Sequence, residues 1–507
     1  MADIENSIVR AWRRPSRNGR RNDSTTTVAI IGGGPAGLTA AYEIGRIGPN
    51  HKIAVLEGSD QVGGIARTET YKGFRFDIGG HRFFTKVKEV DDLWQEVCGV
   101  DFLLRPRLSR IFYRGKFYDY PLRPLKALWT IGAYETMRIA LSYLKWRMRP
   151  HPVEENFQQW VMNRFGGRLF QHFFRTYTEK VWGIPCTEIR ADWAEQRIKN
   201  LSLKEAVLSA LGIARGHTSL IEEFHYPRLG PGMMWEKFRD RLIARGDEVR
   251  MNSRVVRVVH HGAFVDALDV FQDAGNGSST YRIEADEFIS SMPLRDLIRA
   301  MDPPAPEPVR KAAEQLSYRD FLIVVLILDD PEPFADNWIY IHSPEQEVGR
   351  IQNFRAWSPD LVPEADKSSI GMEYFCNSGS ELWEMDDAKL IALATRELAE
   401  LGLARPEAVV DGTVIRQKEA YPVYDSEYRG ALAEIRSWLA GFRNLQVIGR
   451  NGMHRYNNQD HSMLTGMLAA RNIMGADHDL WNVNVERSYH EEFQVAHEPL
   501  PTAVAAE

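Results

Sequence analysis

The spacing of apolar and polar positions predicts a strand–helix–strand unit near the start of the chain. Residues 28–31 form a short apolar run, and residues 38–47 carry the spacing of an amphipathic helix. Residues 52–56 show a second strand pattern. Elements of this length and order form the βαβ unit that opens a parallel sheet, so the sequence predicts an α/β fold.

Farther along the chain, helical spacing and strand patterns alternate. Residues 90–224 are helical and aromatic with few strand signals, and residues 125–148 predict an amphipathic helix with a basic end. A glycine-rich turn leads into a helix at residues 230–246, and residues 318–378 are rich in strand signals. Further predicted elements are strands at 255–259, 287–291 and 445–449 and helices at 388–401 and 463–474.

The composition narrows the class of protein. Of the 507 residues, 44% are hydrophobic and 26% are charged, which is ordinary for a folded chain. The net charge of −6 argues against nucleic acid as a partner. Cys98, Cys186 and Cys376 are far apart, which favours a reducing compartment and argues against a disulfide framework or a metal site. The longest apolar run, residues 321–328, is strand-sized, so we expect a cytoplasmic protein.

The N-terminal segment is rich in arginine. Six arginines fall within residues 10–21, and no apolar region follows that would complete an export signal. We therefore expect a disordered tail over residues 1–27. Peripheral contact with an anionic membrane surface, or with an acidic partner, is the alternative.

A glycine-rich turn follows the first predicted strand. It consists of Gly32, Gly34, Pro35, Ala36 and Gly37 in a G-x-G-x-x-G pattern. The first glycine permits a tight turn, the second lets the backbone approach a pyrophosphate, and the third lets helix and strand pack closely. Glu57 stands 20 residues after Gly37, the spacing of a carboxylate that binds ribose hydroxyls. The phosphates would sit at the helix N-terminus, so these residues predict a dinucleotide site.

Two glycine doublets after the acidic residue resemble those of the flavin amine oxidase and mutase superfamily. Gly63 and Gly64 precede Arg67, and Gly80 precedes His81. In that superfamily the first loop leads the chain under the flavin, and the second doublet would let the backbone press against the ring. The resemblance implies FAD as the cofactor.

The resemblance continues in distant parts of the chain. It includes the strand containing Val255 and the Gly449-Arg450 pair after the late strand. The predicted fold is α/β, with an FAD-binding Rossmann-like domain, an inserted helical domain and a mostly antiparallel β-sheet substrate domain. We expect a discontinuous FAD-binding domain at residues 28–88, 226–300 and 440–478, a helical substrate or cap domain at 89–225, an antiparallel-sheet substrate domain at 301–439, and a C-terminal tail at 479–507.

Further motifs lie beyond the cofactor residues. Residues 176–183 have the sequence TYTEKVWG, and residues 193–198 follow as WAEQRI. The first segment is similar to the Y-T-E-K-x-W-G run of the UDP-galactopyranose mutases, a family that the chain resembles. Residues 338–340 (WIY), 349–350 (GR) and 421–422 (YP) are similar to further mutase segments. Residues 449–456 (GRNGMHRY) resemble the closing signature, and residues 458–462 (NQDHS) are similar to the eukaryotic mutases.

The mutase resemblance implies a clamp for a substrate diphosphate. Arg197 and Arg350 would hold the diphosphate by charge-assisted hydrogen bonds, while tyrosines add neutral donors. The catalytic residues that it implies are His81 near flavin N5, Trp182 in the wall of the sugar pocket, Arg197, Tyr340, Arg350, Tyr421, Tyr456 and Asn458. Gln459 and Ser462 would join the cofactor site.

The implied reaction is the pyranose–furanose interconversion of a small-molecule nucleotide sugar. It is redox-neutral and passes through a flavin N5–sugar adduct on reduced FAD. NAD(P)H is a candidate reductant, although no second dinucleotide motif is visible. The sequence leaves the oligomeric state open, and a homo-oligomer is compatible with it.

One departure from the mutases keeps other functions open. The mutases have Pro-Phe-Gln or Pro-Phe-Asn where the base is bound, whereas residues 120–123 are Tyr-Pro-Leu-Arg. Arg123 lacks the paired donor and acceptor of an amide, so GDP-, dTDP- or lipid-linked sugars stay open as substrates. The alternative function is an FAD-dependent oxidoreductase of the amine oxidase, protoporphyrinogen oxidase or desaturase kind, acting on an amine, a porphyrinogen or a lipid-linked substrate. A third is a non-catalytic or other sugar-modifying flavoprotein.

Overall fold

The computed structural model describes residues 25–120, 122, 124–191, 223–273 and 277–484. The strands are β1 (Thr26–Ile31), β2 (His51–Leu56), β3 (Thr68–Tyr71), β4 (Phe74–Asp77), β5 (Phe102–Pro106), β6 (Ser109–Tyr113), β7 (Lys116–Asp119), β8 (Glu223–Pro227), β9 (Glu248–Arg250), β10 (Ser253–His261), β11 (Phe264–Asp273), β12 (Ser278–Glu284), β13 (Glu287–Ser290), β14 (Met301–Asp302), β15 (Tyr318–Leu328), β16 (Trp338–Ile341), β17 (Arg350–Asn353), β18 (Ser368–Cys376), β19 (Val409–Pro422) and β20 (Leu445–Val447).

The helices lie between these strands, singly or in runs such as residues 124–182. They are α1 (Pro35–Ile47), α2 (Lys88–Cys98), α3 (Pro124–Ile131), α4 (Ala133–Met148), α5 (Phe157–Phe165), α6 (Gly167–Phe170), α7 (Thr176–Trp182), α8 (Pro231–Arg245), α9 (Leu294–Ala300), α10 (Glu307–Gln315), α11 (Phe354–Trp357), α12 (Glu381–Glu384), α13 (Asp387–Glu400), α14 (Tyr428–Leu439) and α15 (Gln459–Ile473). Among the helices of the described ranges, none combines the length and the apolar character needed to cross a bilayer.

A five-stranded parallel sheet in the order β20-β13-β1-β2-β9 lies at the centre of the first lobe. Successive residues of a strand point to opposite faces. Val28 and Ile30 therefore pack against α1, α2, α8 and α15, while Ala29 and Ile31 pack against the β10–β12 sheet and α9, α10 and α14. The chain leaves β1 toward β2 on one side, and β13 pairs on the other, so a crevice opens at the carboxyl end of β1.

A seven-stranded sheet in the order β19-β15-β18-β17-β16-β6-β7 forms the second lobe. Its pairings are antiparallel except for β16 with β6. Tyr340 of β16 is paired with Arg350 of β17, which is paired in turn with Glu373 of β18. Directly opposed residues of neighbouring strands share a face, so this register aligns the three side chains across the sheet.

Most of the predicted secondary structure is confirmed. The α/β class is confirmed, and so are the βαβ unit, the helix after Gly230, the strands at β10, β13 and β20, and the helices at α13 and α15. The structure adds elements that the patterns did not predict: the β11–β12 hairpin, the 14-residue strand β19 and the helix α14.

Three expectations from the sequence were wrong in detail. The single helix expected at residues 125–148 is two helices, α3 and α4, because Gly132 adopts a φ of +99° that ends the first. The segment at 90–224, expected to have few strands, supplies β5, β6 and β7, and the last two extend the seven-stranded sheet. Residues 479–484, assigned to a tail, form a turn in which Leu480 is buried and the Arg436 guanidinium lies 4.4 Å from the centre of the Trp481 ring. The arginine-rich residues 10–21 lie outside the described residues.

Close packing of α1 on α15 is predicted to be sensitive to a single methyl group. A Cβ at Gly466 would lie 2.4 Å from the carbonyl oxygen of Ala36 and 3.0 Å from the nitrogen of Ala40. Gly466→Ala should therefore lower the melting temperature, because overpacking costs about 1–3 kcal/mol and exceeds the gain in helix propensity. The matched control is Gly430→Ala in α14, where a Cβ would meet nothing within 4 Å. A Gly466→Ala protein as stable as Gly430→Ala would contradict this account of the packing.

Candidate functional site

The glycine turn between β1 and α1 is fixed by close backbone contacts. Gly32 has a φ of +102°, and a Cβ there would lie 2.2 Å from the Ser291 hydroxyl. A Cβ at Gly37 would lie 2.0 Å from the Gly32 carbonyl oxygen. Gly34 is the N-cap of α1, and Pro35 occupies its first turn. The turn therefore presents a helix N-terminus, without an acidic residue in its first turn, to the crevice.

Glu57, at the end of β2, holds the turn in place. One carboxylate oxygen accepts the Gly33 N–H at 2.7 Å, and the other accepts the Ser59 N–H at 2.9 Å and the Ser59 hydroxyl at 2.8 Å. The carboxylate also lines the cavity. Each carboxylate oxygen has more than one lone pair, so Glu57 retains capacity for a ribose hydroxyl.

The first glycine doublet lies under the turn. Gly63 donates its N–H to the Gly33 carbonyl at 2.8 Å, and Gly64 faces Gly34. Arg67 forms an ion pair with Glu69 at 2.6 Å and donates to the side-chain carbonyl of Gln417 at 2.9 Å. Arg67 therefore fastens this loop to β19.

One cavity of 1680 Å³ joins the crevice to the second lobe. This volume exceeds that of an ordinary ligand pocket, so it has room for a dinucleotide together with a second ligand. The predicted site residues that line it are Gly32, Gly34, Pro35, Ala36, Glu57, Gly64, Arg67, Gly80, His81, Trp182, Val255, Tyr340, Arg350, Tyr421, Gly449, Arg450, Tyr456, Asn458, Gln459 and Ser462. Gly37 and Gly63 stand behind this lining, and Arg197 lies outside the described residues.

A cluster of stacked aromatic rings surrounds Arg450. The rings of Tyr421 and Tyr456 stack with centroids 5.7 Å apart, and the Arg450 guanidinium lies 4.4 Å from the Tyr456 centroid. Arg450 donates to the carbonyls of Asn457 and Ala420 at 3.0 and 3.2 Å. These partners carry no formal charge, so the positive charge of Arg450 is available to a ligand.

Arg350 forms an ion pair with the buried carboxylate of Glu373. Its Nε donates to Glu373 at 2.7 Å, and Gln352 also donates to this carboxylate. Burial raises the pKa of Glu373, and the Arg350 guanidinium opposes the rise. Glu373 is fully buried, whereas 17% of the Arg350 side chain stays accessible and lines the cavity. Glu373 therefore fixes the direction of Arg350 and leaves part of its fork for an anion.

The surroundings of His81 disfavour the protonated form of its ring. Burial, followed by the charges of Arg450 and Arg350, lowers the pKa of His81 to about 3, so its ring is neutral at physiological pH. Burial raises the pKa of Tyr421 to about 12 and that of Asp460 to about 7. Neutral tyrosines can donate hydrogen bonds without adding charge.

The described lining of the cavity is positively charged. Its bases are Arg67, Arg82, Lys126, Arg254, Arg299, Arg350 and Arg450, and its carboxylates are Glu57, Asp296 and Asp460. This balance favours anionic ligands over cationic ones.

The cavity continues into an apolar end, which we call the apolar annex. It is lined by Ile111, Leu122, Ala127, Ile131, Leu169, Phe173 and Phe174, which pack in one cluster. Tyr340 belongs to the edge of the same cluster, so the annex adjoins the Arg350 site. The annex suits a hydrocarbon group better than a polar base.

Two residues of the site were missed from the sequence. Tyr177 lines the cavity, stacks on His342 at 4.6 Å and contacts the Tyr340 ring edge at 5.5 Å. It lies inside the TYTEKVWG segment, which was the signal that could have identified it. Glu373 is a single acidic residue within a buried nine-residue strand, and an isolated charge in such a strand is also a recognisable signal.

The fold and the glycine turn define a dinucleotide-binding α/β protein whose second lobe closes the cavity with an antiparallel sheet. The family model described as flavin containing amine oxidoreductase matches residues 35–474, and the chain belongs to this family. Membership implies FAD as the cofactor.

Similarity to individual proteins extends over most of the chain. Coproporphyrinogen III oxidase of Mycobacterium tuberculosis is 23% identical over 440 residues, 81% of this chain and 90% of that protein. The L-amino-acid oxidase of Naja atra is 24% identical over 329 residues, which are 60% of this chain and 59% of the oxidase. Among solved structures, reduced UDP-galactopyranose mutase superposes with a TM-score of 0.75 at 21% identity, covering 90% of this chain and 97% of the mutase. A putrescine oxidase superposes with a TM-score of 0.59 at 17% identity, covering 89% and 99%.

The residues around the crevice fit FAD. The glycine turn leaves space that a Cβ would fill, and the N-terminus of α1 faces that space. The Oε1 atom of Gln459 is buried at the cavity wall without a hydrogen-bond partner among the described residues, as expected for a group that a ligand satisfies.

The pairing of Arg350 with Glu373 leads to a prediction in which stability and anion affinity change in opposite directions. Glu373→Gln should lower the stability by about 3–5 kcal/mol, since it leaves a buried charge unpaired. It should also tighten pyrophosphate binding by about tenfold, because the full charge of Arg350 becomes available. Thermal unfolding and titration calorimetry measure the two effects.

Two variants serve as controls for this prediction. Arg350→Gln should weaken pyrophosphate binding, whereas Glu407→Gln at an exposed position should change neither quantity. Equal pyrophosphate affinities in wild type, Glu373→Gln and Arg350→Gln would show that Arg350 does not bind the anion.

Proposed function

We propose that this chain is an FAD-dependent isomerase that interconverts the pyranose and furanose forms of a sugar carried on a diphosphate, with a nucleotide sugar as the first candidate substrate. The observation that carries the proposal is the grouping of Arg350 with Tyr340, Tyr421 and Tyr456 in one cavity beside His81. The mutase similarity in fold supports it.

The chain's own residues would bind and hold the diphosphate. Arg350, directed by Glu373, would donate to one phosphate, and Tyr340, paired opposite it in the sheet, would add a neutral donor. Arg450 would supply a second positive charge above the Tyr421–Tyr456 stack. A diphosphate held in this way stays close to the sugar after the bond between them breaks, so recombination is favoured over escape.

Other residues would shape the space for the sugar. Neutral His81 lies beside Gly79 and Gly80 and adds no charge near the sugar. Trp182 packs 6.2 Å from Tyr456 between centroids and closes one side. The chemistry that FAD supplies to such a reaction, when bound in its reduced state, is a nucleophilic ring nitrogen.

A second candidate function is an FAD-dependent oxidoreductase acting on an anionic, partly apolar substrate. The apolar annex favours it, because a porphyrinogen or a lipid-linked molecule would fill that space. The similarity to coproporphyrinogen III oxidase agrees with it. The positively charged lining argues against an amine as the substrate.

An anaerobic assay separates the two functions. The flavin is fully reduced, UDP-, dTDP- and GDP-sugars are offered in turn, and isomers are resolved by chromatography, with oxidised enzyme as the control. Isomerisation by reduced enzyme without net consumption of reductant is the expected result, because the proposed reaction is redox-neutral. Absence of isomer from every donor, together with oxygen consumption on a porphyrinogen in a parallel aerobic assay, would replace the isomerase by the oxidoreductase.

Arg197 provides a further test of the clamp. The mutase resemblance makes it the second diphosphate ligand, so Arg197→Ala should retain bound flavin and lose at least about a hundredfold in activity, equivalent to ~3 kcal/mol of transition-state stabilisation. Flavin absorbance and turnover by the reduced enzyme measure the two properties. Full activity of Arg197→Ala would remove this residue from the clamp.

A further inference from the structure

Helices α3 and α4 carry an apolar surface that no described part of the chain covers. On α4, Tyr134, Met137, Leu141, Leu144 and Met148 recur at alternating steps of three and four, and between 54% and 76% of each is exposed. This spacing places them in one stripe along the helix. Trp129 of α3 is 88% exposed. We call these six residues the α3–α4 face. Contiguous apolar surface of this kind marks an interaction site.

The exposed charged residues of α3 and α4 are all basic. Lys145, Arg147 and Arg149 are exposed at the end of α4. Glu135, the acidic residue of α4, is turned inward, where it accepts hydrogen bonds from Arg168 and from His172 at 2.8 Å. An apolar stripe with basic flanks and an exposed tryptophan is the pattern of a helix that lies in the headgroup region of a bilayer.

The same helix, α3, separates this face from the apolar annex. Ala127 and Ile131 line the annex, while Trp129, between them in sequence, is exposed. Apolar side chains of α3 therefore face both the solvent and the cavity, within the thickness of one helix. A hydrocarbon chain held in the annex would lie directly behind a surface suited to lipid.

We propose that the α3–α4 face docks on an anionic lipid bilayer and that the apolar annex receives the hydrocarbon chain of an anionic substrate resident in that bilayer. The docking does not depend on which reaction the protein catalyses. The substrate class rests on the proposed function, because it requires the anion site at Arg350. A second copy of the chain, seated on the same stripe, is the competing occupant.

Vesicle co-sedimentation of the full chain tests the docking. Wild-type protein should bind vesicles of phosphatidylcholine containing phosphatidylglycerol at roughly one lipid in three, and should bind pure phosphatidylcholine more weakly, because basic residues near an anionic surface add to the affinity. Leu141→Gln/Leu144→Gln should weaken binding by about tenfold or more. The matched control is Val100→Gln, since Val100 is 90% exposed on another part of the surface. Flavin absorbance verifies that each variant is folded.

Docking would be overturned by failure of the wild type to bind anionic vesicles, by unchanged binding of the double variant, or by a stable dimer that the double variant dissociates. Unchanged binding by the double variant would indicate that the arginine-rich residues 10–21 make the membrane contact instead. The fluorescence of Trp129 is obtained by subtracting the tryptophan emission of Trp129→Phe from that of the wild type. A blue shift of this fluorescence when vesicles are added would support docking, and its absence would contradict it.

Calorimetry with pyrophosphate and geranylgeranyl diphosphate tests the annex. The prenyl compound should bind more tightly by about tenfold or more, because its chain leaves water. Ala127→Phe should remove this difference by filling the annex and leave pyrophosphate binding unchanged. Equal affinities in the wild type would overturn the annex assignment, whereas absence of pyrophosphate binding would instead overturn the anion site on which the proposed function depends.

Discussion

Direct contact between backbones holds together the segments that surround the cofactor cavity. At Gly37 the first helix touches the turn that precedes it, and at Gly466 the last long helix touches the first. At Gly452 a Cβ would lie 2.4 Å from the Ile448 carbonyl oxygen and 3.0 Å from that of Ser290. Any side chain at these points would separate the segments. The shape of the crevice therefore depends on glycines that are distant in sequence and adjacent in space.

The second lobe contributes charged residues to the wall of the cavity. In the register of the seven-stranded sheet, Tyr340, Arg350 and Glu373 lie in one row across three strands. A buried carboxylate beside a partly buried guanidinium allows the positive charge to exist at the cavity wall, because the pair offsets much of the desolvation that either group alone would suffer. Arg450 has carbonyl partners and aromatic neighbours instead. Among the basic residues of the cavity, Arg350 is thus partly neutralised, whereas Arg450 depends on polarisable surroundings.

The sequence predicted the parts of this molecule that local chemistry determines. The glycine turn, Glu57 and the flanking strand and helix follow from fixed spacings, and the structure has them in the expected places. Most of the candidate site residues that the resemblance to the mutases implied also line one cavity. Arg197 remains a prediction, because it lies outside the described residues.

Other features could not be predicted because they depend on distant partners. Strands β6 and β7 have five and four residues, and they are strands because β6 pairs with the distant β16 and β7 pairs with β6. The break at Gly132 is one glycine inside an otherwise continuous helical pattern. The apolar annex combines residues of β6, α3, α6 and the segment between α6 and α7, none of which shows a local signal for a cavity. Such features arise from tertiary contacts, which a single-sequence pattern does not contain.

The parallel sheet has a consequence for how the protein is made. Strand β1 is among the first described parts to leave the ribosome, but its sheet is complete only after β20 has been synthesised, more than 400 residues later. Because α15 follows β20 and closes on α1, a nascent chain cannot form a finished cradle for the nucleotide at an earlier stage. Completion of the cofactor cradle is therefore an event of the last phase of biogenesis, and a translation product that ends before β20 would lack both the strand that pairs with β13 and the helix that packs on α1.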